Sequence, residues 1–419
     1  MTENQKKETR RLAAHFFRNE YGRLVAVIAH YLGGEHVETA EDIVQETLAK
    51  AVSHWEIKGI PKNPKSWLYA TAKNLTINVL NRKKHHRTYI SIKTKEAFPT
   101  NKLEFSEEVI EDGLLRMMFA TCHPSISEKY QIPLVLKILS GFSIPEIADA
   151  FFTSNETINK RLVRERKQLR KVDFDQFFEK DIQPRANNVL KTIYLMFNEG
   201  YFPSRKNQII RYDLCLEAIR LVKLLNGSTA IQDKTNCHAL LALMYFNCAS
   251  FKSRISKKGT LQTLKQQDRS LWNMKLIQMG VQHLRLLNMA QETSKFALLA
   301  TISANHCMAQ SFEATNWNEI LSLYDRLLLL EDSPITHLNR CVALAYVAGN
   351  LKAIMELNKL KGETIIDNYY LFHLTLAELY QKEGENTMAE GAYRKALELA
   401  QNSRDTLLIE KKLYKIVPI

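Results

Sequence analysis

Glycine and proline are scarce in this chain, 14 and 10 among 419 residues. Turn-rich β architectures use more of both, so the composition favours helices. Cysteine is sparse too, with six residues and no C-x-x-C pair. That argues against a disulfide framework and for buried thiols in a reducing compartment, so a cytoplasmic location is expected. Cys122-His123, Cys237-His238 and His306-Cys307 are adjacent pairs. They lack the two-to-four-residue gap of a zinc knuckle, so no metal and no cofactor is expected. No apolar run is long enough to cross a bilayer, and the polar stretch Met1 to Arg11 does not read as a signal peptide. P-loop, G-x-S-x-G, H-E-x-x-H and G-x-G-x-x-G patterns are all missing, which speaks against an enzyme.

Acidic residues are missing from one long stretch. Between Ile57 and Lys95 there is no Asp or Glu, while Lys and Arg are frequent. The whole chain carries a net charge of +13 with a pI near 9.3. A one-sign block of this length is an electrostatic footprint for a polyanion such as nucleic acid. Apolar residues make up 45% of the chain, enough for large cores, and its length predicts roughly two to four domains.

Inside the basic block, Pro64 to Arg87 reads P-K-S-W-L-Y-A-T-A-K-N-L-T-I-N-V-L-N-R-K-K-H-H-R. Ser66 is a suitable helix start, and the run after it contains no Gly or Pro. Leu68, Ala72, Leu75 and Val79 form an apolar stripe on a 3.6-residue period. Trp67, Thr71, Asn74, Asn78 and Arg82 form a second stripe beside it, and Lys83 and Lys84 extend the charge. Amides can read base edges, aromatics can support unstacked bases, and Arg can hold phosphate.

Upstream, His15 to Leu32 and Thr39 to Trp55 read as helices separated by Gly33-Gly34. Thr39 and Asp42 suggest a capping box for the second. Its apolar face is Ile43, Leu48, Ala51, Val52 and Trp55. Glu41, Asp42, Gln45 and Glu46 make an acidic face suited to a basic partner. Ile90 to Glu111 reads as a solvated linker. Beyond it, a helix near Glu128 to Leu139 carries Pro133, which should kink it or delay its start. Ser143-Ile144-Pro145-Glu146 is a capping box opening a short helix, and Thr153-Ser154-Asn155-Glu156 opens a longer, basic one. Two such helices joined by a short turn describe a helix-turn-helix, with Asn155, Asn159, Lys160, Arg164 and Lys167 on the groove-facing side.

The C-terminal half shows a repeat. Ala309-x-x-Phe312, Ala343-x-x-Tyr346 and Ala377-x-x-Tyr380 recur at a spacing of ~34 residues, the period of a tetratricopeptide (TPR) solenoid. Trp317 fits the start of a helix within a repeat. Gly200, in Asn198-Glu199-Gly200-Tyr201, reads as a turn, and Arg211, Asp213 and Glu217 as an internal polar network.

E-D-I-V-Q-E-T-L-A-K-A-V-S-H-W, P-K-S-W-L-Y-A-T-A-K-N-L-T-I-N-V-L-N-R and G-F-S-I-P-E-I-A-D-A-F-F-T-S-N-E-T-I-N-K-R-L-V-R resemble regions two and four of extracytoplasmic-function (ECF) sigma factors of the sigma-70 family. D-G-L-L-R-M-M-F-A-T-C-H-P-S-I and L-M-F-N-E-G-Y are similar to the subgroup with a TPR-like extension. The resemblance implies an all-α protein. Region two would fall in residues 1–90, a linker in 91–112, the region-four helix-turn-helix in 113–175 and a TPR-like α-solenoid in 188–419. It implies core RNA polymerase and promoter DNA as partners. Asp42, Gln45 and Glu46 would face the β′ clamp helices, and region four would meet the β flap. Trp67, Asn74, Asn78, Arg82, Lys83 and Lys84 would act at the minus-ten element. Asn155, Asn159, Lys160, Arg164 and Lys167 would act at the minus-thirty-five element. Asn78 stands where many relatives carry Asp. The extension would modulate activity or meet a partner protein. The alternative from the residues alone is a free-standing helix-turn-helix regulator that senses a ligand or protein through its solenoid.

Overall fold

The computed structural model describes residues 3–90, 103–151, 153–172, 174, 182–201, 211–256, 262–287, 294–400 and 403–416. Within these, the side chains of 3–15, 83–90 and 403–404 are not described. The protein is all-α, with no extended strand among the described residues. It divides into two compact units, Met1–Met196 with Gly227–Gln232, and Phe197–Asn226 with Asp233–Ile419.

In the first unit, helices α1 (Glu3–Leu32), α2 (Val37–Lys58) and α3 (Pro64–Ile90) pack on one another. Helix α1 stops at Gly33, whose φ of 91° suits a residue without a Cβ. Helix α2 then starts at Val37, two residues before the expected Thr39, with no side-chain cap. Asn63, rather than Ser66, caps α3: its Oδ1 accepts from the Ser66 N–H at 3.0 Å, and Pro64 takes the first helical position. Leu68 and Ala72 are fully buried. A side chain the size of Leu68 contributes about 1.5–3 kcal/mol when removed from water. Val52, expected inward on α2, is 40% exposed.

Helix α4 (Glu107–Thr121) occupies part of the segment expected to be a linker, and the Ser106 side chain caps it. Ahead of α4, Leu103 is buried, Phe105 stacks on Tyr31, and the Tyr31 hydroxyl donates to the Glu104 carbonyl at 2.6 Å. These residues pack on α1 and α3 rather than float in solvent. Residues 91–102 of that linker lie outside the described residues.

Helices α5 (Glu128–Ile138), α6 (Ile144–Ala150) and α7 (Asn155–Leu169) come next. Pro133 does not delay α5, which starts five residues before it. The Ser143–Glu146 capping box forms with both of its bonds, and Ser154 caps α7 through the Thr157 N–H. Ile147, Ala148, Ile158, Leu162 and Leu169 are buried, as the helix-turn-helix pattern requires.

Helix α8 (Ile182–Tyr201) runs through residue 188, where the C-terminal domain was expected to begin. Its N-terminal part belongs to the first unit. There Thr192 donates to Gln131 at 2.8 Å, Lys191 pairs with Glu128, and Val189, Leu190 and Ile193 are buried. Gly200 is not a turn but sits inside α8. A Cβ there would lie 2.8 Å from the Cys215 sulfur.

The second unit continues through α9 (Tyr212–Gly227), α10 (Thr235–Ala249), α11 (Met274–Arg285), α12 (Lys295–Met308), α13 (Trp317–Leu330), α14 (Pro334–Ala348), α15 (Asn350–Lys359), the short α16 (Thr364–Asp367), α17 (Tyr370–Lys382), α18 (Asn386–Leu399) and α19 (Ser403–Leu413). From α12 onward most helices pack on the next in sequence. Ala343 on α14 and Ala377 on α17 are buried where neighbouring helices meet. Ala309 and Phe312 fall after the end of α12, so the first of the three Ala-x-x-aromatic matches is not on a helix. Trp317 opens α13 and stacks on Tyr346 at 4.2 Å.

Candidate nucleic-acid and polymerase interfaces

Three exposed surfaces of the first unit carry the residues singled out from the sequence. The first lies on α3. Leu68 and Ala72 turn one side into the core, and Asn74, Asn78 and Arg82 are exposed at successive turns of the stripe beside it. Trp67 is only partly exposed. It stacks on His54 at 5.3 Å and meets Trp55 edge-on at 5.8 Å, so its ring also anchors α3 to α2. The Thr71 hydroxyl returns to the Trp67 carbonyl at 2.9 Å. The side chains of Lys83 and Lys84 lie outside the described residues.

The second surface lies on α2. Asp42, Gln45 and Glu46 are exposed, and Glu46 pairs with Lys50 at 2.8 Å. Glu41, expected on the same face, is buried instead. Burial pushes its pKa up against the opposing pull of Arg166 and Lys137. It accepts from the Tyr21 hydroxyl at 3.2 Å, and both of its oxygens accept from the Arg166 Nη2, at 2.6 and 2.9 Å. Sequence periodicity alone did not separate Glu41 from Asp42, because the discriminating partner lies 125 residues away.

The third surface is α7. Asn155, Asn159, Lys160, Arg164 and Lys167 are all exposed, and Lys160 pairs with Glu156 along the helix. Arg166 and Arg170, on the same helix, do not join this surface. They point to α2, where Arg166 meets Glu41 and Arg170 pairs with Glu38. The sequence signal that could have found them is modest. A helix with charges on every side must turn some of them away from DNA.

A network of polar side chains joins α3 to α1 and α4. Tyr69 donates to Glu20, Arg23 reaches the Tyr69 hydroxyl at 3.3 Å, and Arg23 and Lys65 both pair with Glu107. The two cations hold the Glu107 carboxyl below its ordinary pKa, Lys65 through its hydrogen bond most of all. Among the described residues, no group of three or more His, Cys, Asp or Glu side chains is placed to hold a metal ion. Among them, no helix is long and apolar enough to cross a membrane.

Residues 16–86 match the sigma-70 region 2 family, and residues 185–288 match a family of unknown function, DUF6596. The ECF RNA polymerase sigma factor SigW of Bacillus subtilis (strain 168) is 30% identical over 146 residues, covering 32% of this chain and 76% of its own. SigL, an ECF RNA polymerase sigma factor of Mycobacterium tuberculosis (strain ATCC 25618 / H37Rv), is 26% identical over 153 residues, covering 36% of this chain and 84% of its own. An uncharacterized protein of Rhizobium meliloti (strain 1021) is 28% identical over 384 residues and spans 90% of both chains. No solved structure matches the chain.

A sigma-70 region 2 domain in one unit with a helix-turn-helix defines a non-enzymatic transcription initiation factor. Within that class, the chain belongs to the ECF RNA polymerase sigma factors. The region-two match sets aside the free-standing regulator, which has no use for such a domain.

Proposed function

We propose that this sigma factor binds core RNA polymerase through Asp42, Gln45 and Glu46 on α2, with region four meeting the β flap. Asn74, Asn78 and Arg82 then act on the minus-ten element, with Trp67 supporting them and Lys83 and Lys84 extending the phosphate contact. Asn155, Asn159, Lys160, Arg164 and Lys167 act on the minus-thirty-five element in duplex form. The observation that carries this reading is the row of exposed amides and guanidinium on the solvent side of α3, above a core formed by Leu68 and Ala72. Such a row has no partner among the described residues of its unit, yet suits base edges and phosphate. The lack of acid along 57–95 favours the same partner. This work takes place in the cytoplasm.

The C-terminal helices, read as a TPR-like domain, modulate the sigma module or dock a partner protein. Covalent linkage keeps them at high effective concentration, so weak contacts suffice.

The test is holoenzyme assembly. Wild-type protein is expected to co-purify with core polymerase from a cell extract. Asp42→Lys with Glu46→Lys should reduce the amount recovered at least tenfold while leaving the fold, read by circular dichroism, unchanged. Equal recovery of the double variant would show that this face of α2 is not the polymerase surface.

A further inference from the structure

The positive charge of this chain is unevenly spread. Residues 185–288, the segment that matches DUF6596, hold 16 Lys and Arg against 5 Asp and Glu, a net +11 beside +13 for the whole chain. Residues 289–419 hold 13 Lys and Arg against 16 Asp and Glu. The basic excess of the C-terminal half therefore lies in its first part.

Some of that excess is gathered on one helix of the second unit. No Asp or Glu stands between Asp268 and Glu292, and α11 lies inside this stretch. Asn273 caps the helix, its Oδ1 accepting from the Leu276 N–H at 3.2 Å. Ile277 and Gly280 are buried. A Cβ on Gly280 would fall 2.7 Å from the Phe246 ring, so this side of α11 lies directly on α10. The opposite side carries Lys275, Gln278, Gln282 and Arg285, all exposed, at spacings of three, four and three residues. Among the described residues, none of the four has a hydrogen-bond or ion-pair partner. Other cations of the unit are matched: Arg211 pairs with Asp213, Arg220 with Glu217 and Arg340 with Asp325. Lys223 on α9 adds to the field near α11. Its ammonium lies over the Tyr245 ring at 5.7 Å, and that ring stacks on His283 of α11 at 5.7 Å.

The composition of this face selects its partner. Lys and Arg hold phosphate, and amides between them donate to phosphate and sugar oxygens. Lys275 and Arg285 are ten residues apart, about 15 Å along the helix axis, the rise of roughly four base pairs of duplex. A helix lying in a membrane surface needs its apolar side free. Here α10 covers that side, and the exposed Met274 and Leu286 stand at opposite ends of the helix. A single-strand platform needs aromatic rings to stack bases, and this face has none.

We propose that the α11 face formed by Lys275, Gln278, Gln282 and Arg285 is a third DNA contact, which grips the phosphate backbone of duplex DNA without reading its sequence. Covalent linkage to a DNA-binding chain raises the local concentration of duplex, so two phosphate contacts suffice. Use of this contact at a promoter rests on the function proposed above, whereas the affinity for phosphate backbone does not.

The test titrates the full chain, without polymerase, against a fluorescein-labelled duplex of arbitrary sequence and about 30 base pairs, read by anisotropy across a series of KCl concentrations. Each neutralised phosphate contributes about 0.9 to the slope of log affinity against log salt. Lys275→Gln with Arg285→Gln should lower that slope by about 1.8. Gln has nearly the helix propensity of Lys and Arg, so α11 is retained, which circular dichroism checks. Lys352→Gln with Lys361→Gln removes the same charge from exposed positions of the same unit and should leave the slope unchanged. With p-benzoylphenylalanine in place of Gln278, irradiation should join the chain to the duplex. An unchanged slope in the α11 variant overturns the proposal. An equal fall in the Lys352 and Lys361 variant also overturns it, because net charge alone would then account for the effect. With core polymerase and duplex both present, a cross-link from position 278 to a polymerase subunit and none to DNA would make the face a protein-docking surface instead. Failure of the holoenzyme test above leaves the salt titration intact, so loss of the sigma reading and loss of this contact are told apart.

Discussion

The Tyr69 hydroxyl donates to the Glu20 carboxylate at 2.8 Å, both side chains buried between α3 and α1. Burial, and Glu20 beside it, push the Tyr69 pKa well above the ordinary tyrosine range, so the phenol remains a donor. Tyr69→Phe leaves Glu20 buried with only the longer Arg23 contact at 3.6 Å. A buried acceptor that loses its donor costs about 1–3 kcal/mol. Denaturant unfolding of the variant should show a loss in that range with an unchanged m-value. A midpoint identical to wild type would mean that Arg23 compensates fully.

Local chemistry made much of the first unit legible. The caps at Ser143 and Ser154 and the apolar spacing through Ile158, Leu162 and Leu169 result from rules acting within one or two turns. The burial of Glu41 was not legible, because Tyr21 and Arg166 reach it from separate helices. Nor was the packing of Glu104 and Phe105 against Tyr31, since the composition of their segment resembles a solvated tether. In the second unit, Ala343 and Ala377 could be read from periodicity, but the Ala309 match was accidental. A four-residue pattern does not record whether a helix has already ended.

Changing Asn74 and Asn78 to Ala removes two exposed amides without disturbing the Leu68 and Ala72 core. Open-complex formation on a duplex promoter, monitored by permanganate footprinting, should fall at least tenfold while holoenzyme assembly stays intact. A template with a pre-melted bubble should recover much of the loss. Wild-type opening by the double variant would remove α3 from promoter melting.

Asn159 and Arg164 stand on the exposed side of α7. Loss of a bidentate base contact is worth about 1–3 kcal/mol and relaxes preference at one position. Competition binding of holoenzyme across single-base changes in the upstream element should therefore flatten at one position for each Ala variant. A uniform loss across all sequences would assign the residue to phosphate.

The second unit should weaken in acid. Burial, with Arg269 as a second cause, pushes the His306 pKa down to about 4, and burial with His238 and Lys223 nearby does the same for the half-buried His283. The unfolded chain binds these protons near the ordinary value of ~6.5. Stability is therefore fully present above that value and is lost as pH falls through it toward about 4. His306, the more buried, accounts for up to about 2 kcal/mol by pH 5, and the more exposed His283 for less. Melting midpoints should be level from pH 7 to 8 and fall below pH 6.5. His306→Gln should flatten that fall. An unchanged slope would place the acid sensitivity elsewhere.

Truncation separates structural support from control, and the place of the cut decides which is measured. A cut after residue 180 removes all of α8, and with it the Thr192–Gln131 bond, the Lys191–Glu128 pair and the apolar cover of Val189, Leu190 and Ile193. Each fully buried aliphatic residue contributes about 1.5–3 kcal/mol. Gln131, itself buried, also loses a donor to its Oε1. Helices α5 to α7 in that product should melt earlier and promoter activity should fall whether or not the C-terminal helices exert control. A cut between residues 201 and 211 keeps α8, so its effect on transcription reports on the C-terminal helices themselves. If those helices hold the helices of the first unit in place for promoter binding, promoter-dependent transcription should fall in the longer product while melting of its α5 to α7 matches the full chain. Higher transcription than the full chain would mean inhibition in cis, and equal transcription would leave the C-terminal helices as a docking surface for another protein. Equal melting of the two products would show that α8 gives helices α5 to α7 no support.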